Sequence, residues 1–389
     1  MAKKSSSLLK GLRKSTGSVS FKDSKWAVAP HYISTGDYGV NQIISGSIYK
    51  GIPAGKVSVF AGESGSLKTV QVVRVAANAL NEMDYDMVFY FDSEGGAPAD
   101  MFANFGCDLD KIEHILVEST EDAAVKMITT LKTIEKIQKE EDENFKAVVI
   151  LDSLGNLENN KTYKDIEDNR LAADQGAGAK VKNKLCRAMT IPALKTGTPV
   201  MLINWVYDGP SLYTKKIKDQ PGGKGSEFVG SINVQCSRTL VKSENKDDAN
   251  YYDNSTVTMF TVKNREVTPY LSTQVHVSFT EGLNLYPYLS LFESAVELGF
   301  ITKESTQFYS VPSWEKPEKK FRKKELIGGE VADAVWSVFL KEYDEKATLT
   351  IQYSKVTEDA IEELGFSPEE AKEMLVQHKD DDTDESETK

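Results

Sequence analysis

Eight consecutive residues carry the plainest chemistry in the chain: Gly62-Glu63-Ser64-Gly65-Ser66-Leu67-Lys68-Thr69. An apolar run, 57–61, precedes them, and a segment rich in valine and alanine follows, the order strand, phosphate loop, helix. The pattern G-x-x-x-x-G-K-[ST] wraps backbone N–H groups around phosphates at the positive end of the helix. Lys68 then supplies a cation for the β- and γ-phosphates of ATP, and the Thr69 hydroxyl can ligate Mg²⁺. One position departs from the pattern. Leu67 stands where the second glycine belongs, and it must adopt the backbone conformation that a glycine would have used. The bland alternative is a Gly/Ser-rich turn before a lysine.

Two carboxylates extend this chemistry. The apolar run 87–91 ends in Asp92-Ser93-Glu94-Gly95-Gly96. A carboxylate just past a buried strand tip, beside a phosphate loop, is placed to polarise an attacking water, so Glu94 is a candidate general base. The run AVVILD, 147–152, reads as a central parallel strand that delivers Asp152 to Mg²⁺. Cysteines and histidines offer no comparable pattern. Cys107, Cys186 and Cys236 are odd in number and far apart, which suggests a reducing compartment and no metal site. His31, His114, His276 and His378 are scattered, and His114 and His276 sit in alternating apolar stretches that favour packing.

These residues need elements to position them. A helix is predicted from Lys68 to about Met83. A short strand at 114–117 is followed by Ser119-x-x-Asp122, which resembles a capping box, and by Ala124, Ile128, Leu131 and Ile134 at helical spacing. Residues 155–180 read as a mobile polar loop entering a helix that carries Lys180, Lys182, Lys184 and Arg187. A buried strand at 199–204 leads through Trp205 into a long loop, 207–227. That loop interleaves Tyr213 with Lys215, Lys216, Lys218 and Lys224 around Pro221-Gly222-Gly223, a composition suited to the backbone of a single-stranded nucleic acid. Strands follow near 233–241 and 256–262, separated by a polar hairpin at 242–254, and the second ends in Lys263-Asn264-Arg265. A strand at 274–279 and an amphipathic helix at 289–298 come next. KPEKKFRKK, 316–324, reads as a basic linker, with helices at 326–343 and 357–376 beyond it and an acidic, disordered stretch at the end.

Composition bounds the partners. The chain has 389 residues, enough for one large or two ordinary domains, and no apolar run of membrane-spanning length. Its N-terminal stretch is basic but lacks a long apolar core, so it does not read as a secretory signal. The net charge of −12 is unevenly distributed. Residues 357–389 hold 13 acidic and 3 basic residues, while residues 1–26 hold 7 basic and 1 acidic. A basic arm, a near-neutral body and an acidic end are compatible with a phosphate-backbone partner.

The ordered set of phosphate loop, Glu94, Asp152 and two later loops resembles the RecA-type core. ISTG at 33–36, FDSEGGAPADMFANFGCD at 91–108, VVILDSLGNL at 148–157, PGGKGSEF at 221–228 and EGLNLYPYL at 281–289 are similar to segments of that family. Leu67, DSLGNL and the K-x-R of Lys263 and Arg265 are similar to its UvsX-type phage members. The resemblance implies an α/β fold: a RecA-like ATPase core of mostly parallel sheet flanked by helices. It divides the chain into a basic arm for subunit docking (1–32), the core (33–310), a small helical region (311–377) and an acidic tail (378–389). It implies that Gly62, Glu63, Ser64, Gly65, Ser66, Leu67, Lys68 and Thr69 hold the triphosphate, with Thr69 and Asp152 serving Mg²⁺ and Phe279 stacking on adenine. It makes Glu94 the base and sends Lys263 and Arg265 to the γ-phosphate of a neighbouring subunit, with Phe228 at the subunit interface. Lys161, Lys164 and Arg170 join Tyr213, Lys215, Lys216, Lys218, Gly222, Gly223 and Lys224 as DNA contacts.

The function so implied is ATP-dependent strand exchange by a filament on single-stranded DNA, with homologous duplex DNA as second partner. Single-strand-binding and loading proteins would be further partners, in the cytoplasm of a bacterial or phage-infected cell. A ring-forming helicase motor and a non-hydrolysing recombination mediator are the alternatives. The short stretch ahead of the core favours the filament, and the set Lys68, Glu94, Asp152 argues against an inert mediator. Two departures stand out. Trp205 replaces the usual Gln or His that senses the γ-phosphate, and an indole donates one hydrogen bond but accepts none. Asp100 stands where an aromatic would flank the base.

Overall fold

The computed structural model describes residues 10–96, 99–170, 176–207, 217–221, 225–242, 252–278, 282–283 and 286–352. A nine-stranded sheet organises them: β1 (Val57–Gly62), β2 (Met87–Asp92), β3 (Ile112–Leu116), β4 (Ala147–Asp152), β5 (Val200–Asn204), β6 (Ile232–Lys242), β7 (Tyr252–Asn264), β8 (Ser272–Ser278) and β9 (Gly282–Leu283). Their order is β9-β8-β7-β6-β1-β5-β4-β2-β3. From β6 to β3 all neighbours are parallel, and β7, β8 and β9 add an antiparallel extension.

The central strands β1, β4 and β5 are buried at every position, which is why their sequences run apolar without alternation. Alternation survives as a division between two faces. Phe60, Ile150 and Met201 pack with Val72, Val73 and Ala76 of the helix Lys68–Glu82. Val57, Val59, Val149 and Leu202 pack instead with Met127 and Leu131 of the helix Thr120–Glu140 and with Leu185 and Met189 of the helix Ala177–Thr196. Ser119 caps the first of those two helices by accepting from the Asp122 N–H, and the Asp122 carboxylate accepts from the Glu118 N–H. Its buried stripe is Ala123, Met127, Leu131 and Ile134, with Ala124 and Ile128 partly buried beside it.

The parallel register places the carboxyl ends of four strands level. Ala61 pairs with Asn204, Leu151 with Leu202, and Asp92 with Asp152. Loops leaving these ends share one edge of the sheet, where open α/β sheets bind ligands.

Several expectations are corrected. Residues 155–180 are not simply a loop: Asn159 caps a helix, Asn160–Glu167. Strands β6 and β7 run further into the expected hairpin, to Lys242 and from Tyr252. KPEKKFRKK is not a linker. Phe321 within it is fully buried, and its backbone exchanges hydrogen bonds of 2.9 and 2.8 Å with Tyr309. The single helix expected over 326–343 is three pieces, Lys323–Ile327, Glu330–Ser337 and Leu340–Ile351, the first two separated by Gly328-Gly329 with Gly329 at φ 86°. The helix at 357–376 and the acidic tail lie outside the described residues. Residues 10–16 form a helix on which Leu12 is exposed.

A third apolar cluster joins Phe292, Phe300, Phe321, Trp336 and Tyr343 to Ile48. Asp344 fastens it to the turn after the helix Tyr38–Ser45, accepting from the Ile48 N–H at 2.6 Å and the Ser47 hydroxyl at 2.8 Å. Trp336 is its centre: fully buried, stacked on Tyr288 at 4.8 Å, with its indole N–H donated to the Leu326 carbonyl at 2.7 Å. Trp336→Ala should therefore cost about 3–5 kcal/mol, read as early loss of hydrogen-exchange protection in 323–351. Protection matching the parent protein would show that Trp336 does not hold this cluster.

Candidate functional site

The phosphate loop begins where β1 ends. Gly62 faces β6 so closely that a Cβ would lie 2.3 Å from the Cys236 carbonyl oxygen. Ser66 closes the turn by donating to the Glu63 carbonyl from its N–H at 3.2 Å and its hydroxyl at 2.7 Å. Leu67 takes the left-handed conformation, φ 62° and ψ 24°, as its place in the pattern requires. It packs partly buried against the first apolar cluster. The helix Lys68–Glu82 has no side-chain cap, so its first N–H groups present the positive end that an anion needs. Lys68 donates to the carbonyls of Gly62 and Glu63 at 2.9 and 2.8 Å. Burial lowers its pKa, opposed by nearby Asp152, Glu94 and Glu63.

Asp152 lies at the floor, 3 % exposed. One of its oxygens accepts from Thr69 Oγ1 at 2.8 Å and from the Tyr90 hydroxyl at 2.7 Å. Burial raises its pKa, while the Tyr90 and Thr69 hydrogen bonds pull it down. A carboxylate and a hydroxyl side by side under an uncapped helix end form the donor set of a hard divalent cation held with phosphate, so Thr69 and Asp152 fit Mg²⁺. Glu94 stands beside them, accepting from Ser153 Oγ. Ser93 and Ser153 are joined by two hydrogen bonds of 2.9 Å, and the Asp152–Ser153 peptide is cis. A cleft of about 380 Å³ is lined by Ser64, Lys68, Thr69, Glu94, Asp152 and Trp205, among others.

Tyr90 was not anticipated as part of this site. The alternation along MVFYFD could have signalled it, since Tyr90 and Asp92 occupy the same face two residues apart. Lys182 lies on the helix Ala177–Thr196, as expected with Lys180, Lys184 and Arg187. It is buried, donates to the Gly155 carbonyl at 3.0 Å, and has its pKa lowered by burial. Trp205 covers the other side of Gly155, where a Cβ would come within 2.1 Å of the indole.

The remaining candidates fall in three places. Lys161, Lys164 and Arg170 are exposed on and after the helix Asn160–Glu167, with Arg170 paired to Asp168. Lys218 is ion-paired with Glu63 of the phosphate loop, and its backbone is held by the Gln235 side chain at 3.0 and 2.7 Å. Tyr213, Lys215, Lys216, Gly222, Gly223, Lys224 and Phe279 lie outside the described residues. Lys263, Arg265 and Phe228 come together at the other edge of the sheet. Lys263 donates to the carbonyls of Glu227 and Phe228 at 2.8 and 2.6 Å, Arg265 to that of Phe228 at 3.4 Å, and Phe228 is 62 % exposed. Through β6, Lys263 is level with Val59, so it sits roughly 10 Å back along the strands from Gly62. Burial and the adjacent Arg265 charge lower the Lys263 pKa to about 8.

The family model for the RecA N-terminal domain matches residues 7–284. The chain belongs to the RecA family. Its sheet and flanking helices are the RecA-like core. The "Recombination and repair protein" of Enterobacteria phage T4 is 25 % identical over 271 residues, which are 70 % of this chain and 65 % of that protein. The chain thus spans just under two thirds of that relative's length. "Protein RecA" of Ureaplasma parvum serovar 3 is 23 % identical over 296 residues, 74 % of this chain and 82 % of that protein. "Protein RecA" of Nautilia profundicola is 23 % identical over 287 residues, with 71 % and 72 % covered.

The left-handed Leu67 makes the loop's tolerance testable. Leu67→Gly removes a conformational cost of about 1–3 kcal/mol at the expense of partial apolar burial, and should bind a fluorescent ATP analogue as tightly as the parent protein. Leu67→Val, β-branched where φ is positive, should bind at least roughly tenfold more weakly. Equal binding by the valine variant would mean that the loop does not need this backbone conformation.

Proposed function

We propose that the chain is an ATP-dependent DNA recombinase that assembles head to tail on single-stranded DNA and exchanges strands with a homologous duplex. The observation that carries this reading is the separation of two half-sites. The cleft holds Lys68, Thr69, Glu94 and Asp152, while Lys263 and Arg265 lie beside the exposed Phe228 at the opposite edge. Those cations cannot reach the cleft of their own chain, and a second copy stacked on it can bring them there. Two different faces meeting in this way form a heterologous interface, which propagates into a filament or closes into a ring. The recombination and repair protein of phage T4 and the RecA proteins among the relatives favour the filament.

Each residue then has a task. The uncapped helix end and Lys68 bind and orient the β- and γ-phosphates. Thr69 and Asp152 would hold Mg²⁺, which supplies charge neutralisation at the phosphates. Glu94 accepts a proton from the attacking water, with Ser153 fixing its carboxylate. Lys263 and Arg265 of the adjoining copy stabilise charge on the transferred phosphoryl group, an effect worth ~10³–10⁵ in rate for a cation so placed. Lys161, Lys164, Arg170 and the lysines of 207–227 contact DNA phosphates, with single-strand-binding and loading proteins as accessory partners in the cytoplasm.

Mixing tests the reading. Glu94→Gln should bind nucleotide and lose hydrolysis by ~10²–10⁴-fold. Lys263→Ala/Arg265→Ala should also be inactive alone. Mixed on single-stranded DNA, the two should recover activity, because some junctions pair an intact Glu94 with an intact neighbouring cation pair. Mixed filaments that stay inactive would reject the in-trans assignment, and closed rings in electron micrographs would favour a motor.

A pH dependence follows from Lys263. In the free subunit its pKa is about 8; a phosphate from the neighbour raises it. The cation's contribution is therefore complete below pH 8 and is lost as pH rises through the higher, assembled value. ATP-dependent assembly should weaken above pH 8, and Lys263→Arg, which stays charged, should flatten that fall. An identical pH profile for both proteins would remove Lys263 from the interface chemistry.

A further inference from the structure

Glu94 sits beyond the tip of β2, in the irregular segment 93–96. A general base must hold its place closely, because a displacement of about 1 Å can cost roughly 10²-fold in rate. Ser153 fixes the Glu94 carboxylate, but something must fix the backbone that carries it. Asp92 Oδ1 accepts from the N–H of Glu94 at 2.8 Å and from the N–H of Gly95 at 2.7 Å. Gly95 has φ 67°, which turns its N–H back toward that oxygen. The other oxygen, Oδ2, accepts from His114 Nε2 at 3.1 Å. His114 reaches it from β3, where it is the strand partner of Tyr90. Asp92 is 2 % exposed, and neither it nor His114 lines the cleft.

We propose that Asp92 is the positioning residue for Glu94, and that His114 holds Asp92 in the orientation this requires. The inference rests on the reading of Glu94 as the base. A buried carboxylate with three donors makes charge-assisted bonds, stronger than neutral ones. Two of those bonds pin consecutive N–H groups, which fixes where the Glu94 Cα points. The third spans two strands and prevents the carboxylate from rotating. Of His114, Asp92 and Glu94 only Glu94 lines the cleft, so the chain of contacts runs from His114 through Asp92 to Glu94 and acts on chemistry only at its end.

The test is a set of variants in two backgrounds, parent and Glu94→Gln, assayed for DNA-dependent ATP turnover in the full chain. In the parent background, Asp92→Ala should lower kcat by roughly 10²-fold while leaving the KM for ATP and the affinity for a non-hydrolysable analogue unchanged. Asp92→Asn keeps one acceptor oxygen for the two N–H groups and should retain most of the turnover. His114→Leu should cost several-fold less than Asp92→Ala and should add nothing in the Asp92→Ala protein. In the Glu94→Gln background, Asp92→Ala should lower the residual turnover no further, since residues acting through one group are not additive.

A drop by the same factor in both backgrounds would overturn the proposal, because Asp92 would then act on the fold or on Asp152 rather than through Glu94. Normal kcat for Asp92→Ala beside an inactive Glu94→Gln would also overturn it, leaving the recombinase reading intact. An active Glu94→Gln protein would instead remove the reading on which the inference rests. Should Asp92→Ala fail to bind the analogue or to melt cooperatively, Asp92→Asn and His114→Leu carry the same comparison, and equal losses in both backgrounds would reject it.

Discussion

Asp152 is a carboxylate held almost wholly out of water at the tip of a central strand, and the geometry of the cleft follows from satisfying it. A buried charge without donors is costly, so partners must come to it. They come from two other segments: Thr69 from the first turn of the helix after the phosphate loop, and Tyr90 from β2. Both can reach the same oxygen because Asp92 is in register with Asp152 and the tips of β1, β4 and β5 are level. The same alignment sets Ser153 against Glu94. One solvation requirement thus gathers the cation-binding pair and the candidate base into a single cleft. Removing either hydroxyl would leave the carboxylate under-satisfied, at a cost of about 1–3 kcal/mol.

The antiparallel extension gives the sheet a second, basic edge. Strand β7 runs against β6, so its carboxyl end lies where the parallel strands begin. Lys263 and Arg265 are therefore carried away from the phosphate loop by topology alone. The carbonyls of Glu227 and Phe228 hold them there beside an exposed aromatic ring. Lys263 is partly buried next to the exposed Arg265, and burial first, then that neighbouring charge, lowers its pKa. In the proposed assembly, an incoming phosphate would offset both effects.

The parts legible in the sequence were those fixed by local pattern. An apolar run ending in a carboxylate marked β2 and β4 to within one residue, and the phosphate loop announced both its strand and its helix. Lys68, Thr69, Glu94 and Asp152 meet in one cleft, as their positions past strand tips implied. What stayed hidden depends on contacts between distant segments. Tyr90 looked like one more apolar strand residue, and only the neighbouring strand's Asp152 shows where its hydroxyl goes. Nothing in the sequence marked Lys182 as the partner of the Gly155 carbonyl. Phe321 stands among lysines, so composition suggested a linker, yet one buried ring and a backbone bridge to Tyr309 override the charges around it. The Glu63–Lys218 pair links residues 155 positions apart, a distance over which sequence spacing carries no information.

Trp205 shows how a departure from the family pattern is accommodated. Its indole occupies the space that a side chain at residue 155 would fill, so Gly155 is the complement of Trp205. Lys182 holds the Gly155 carbonyl from the other side, which ties the loop after β4 to the helix Ala177–Thr196. The strand end that carries Trp205 and the loop that follows Asp152 are therefore in direct packing contact. An indole offers only its N–H to a phosphate, whereas packing transmits displacement without regard to hydrogen-bond direction. The exposed Glu63–Lys218 ion pair, worth ~0–1 kcal/mol in such a setting, is too weak to hold the phosphate loop and the second loop together by itself. The firmer connection between them is the pair of hydrogen bonds from Gln235 to the Lys218 backbone, next to the close approach of Gly62 to Cys236 on the same strand. The phosphate loop and the Lys218 segment are thus joined through β6.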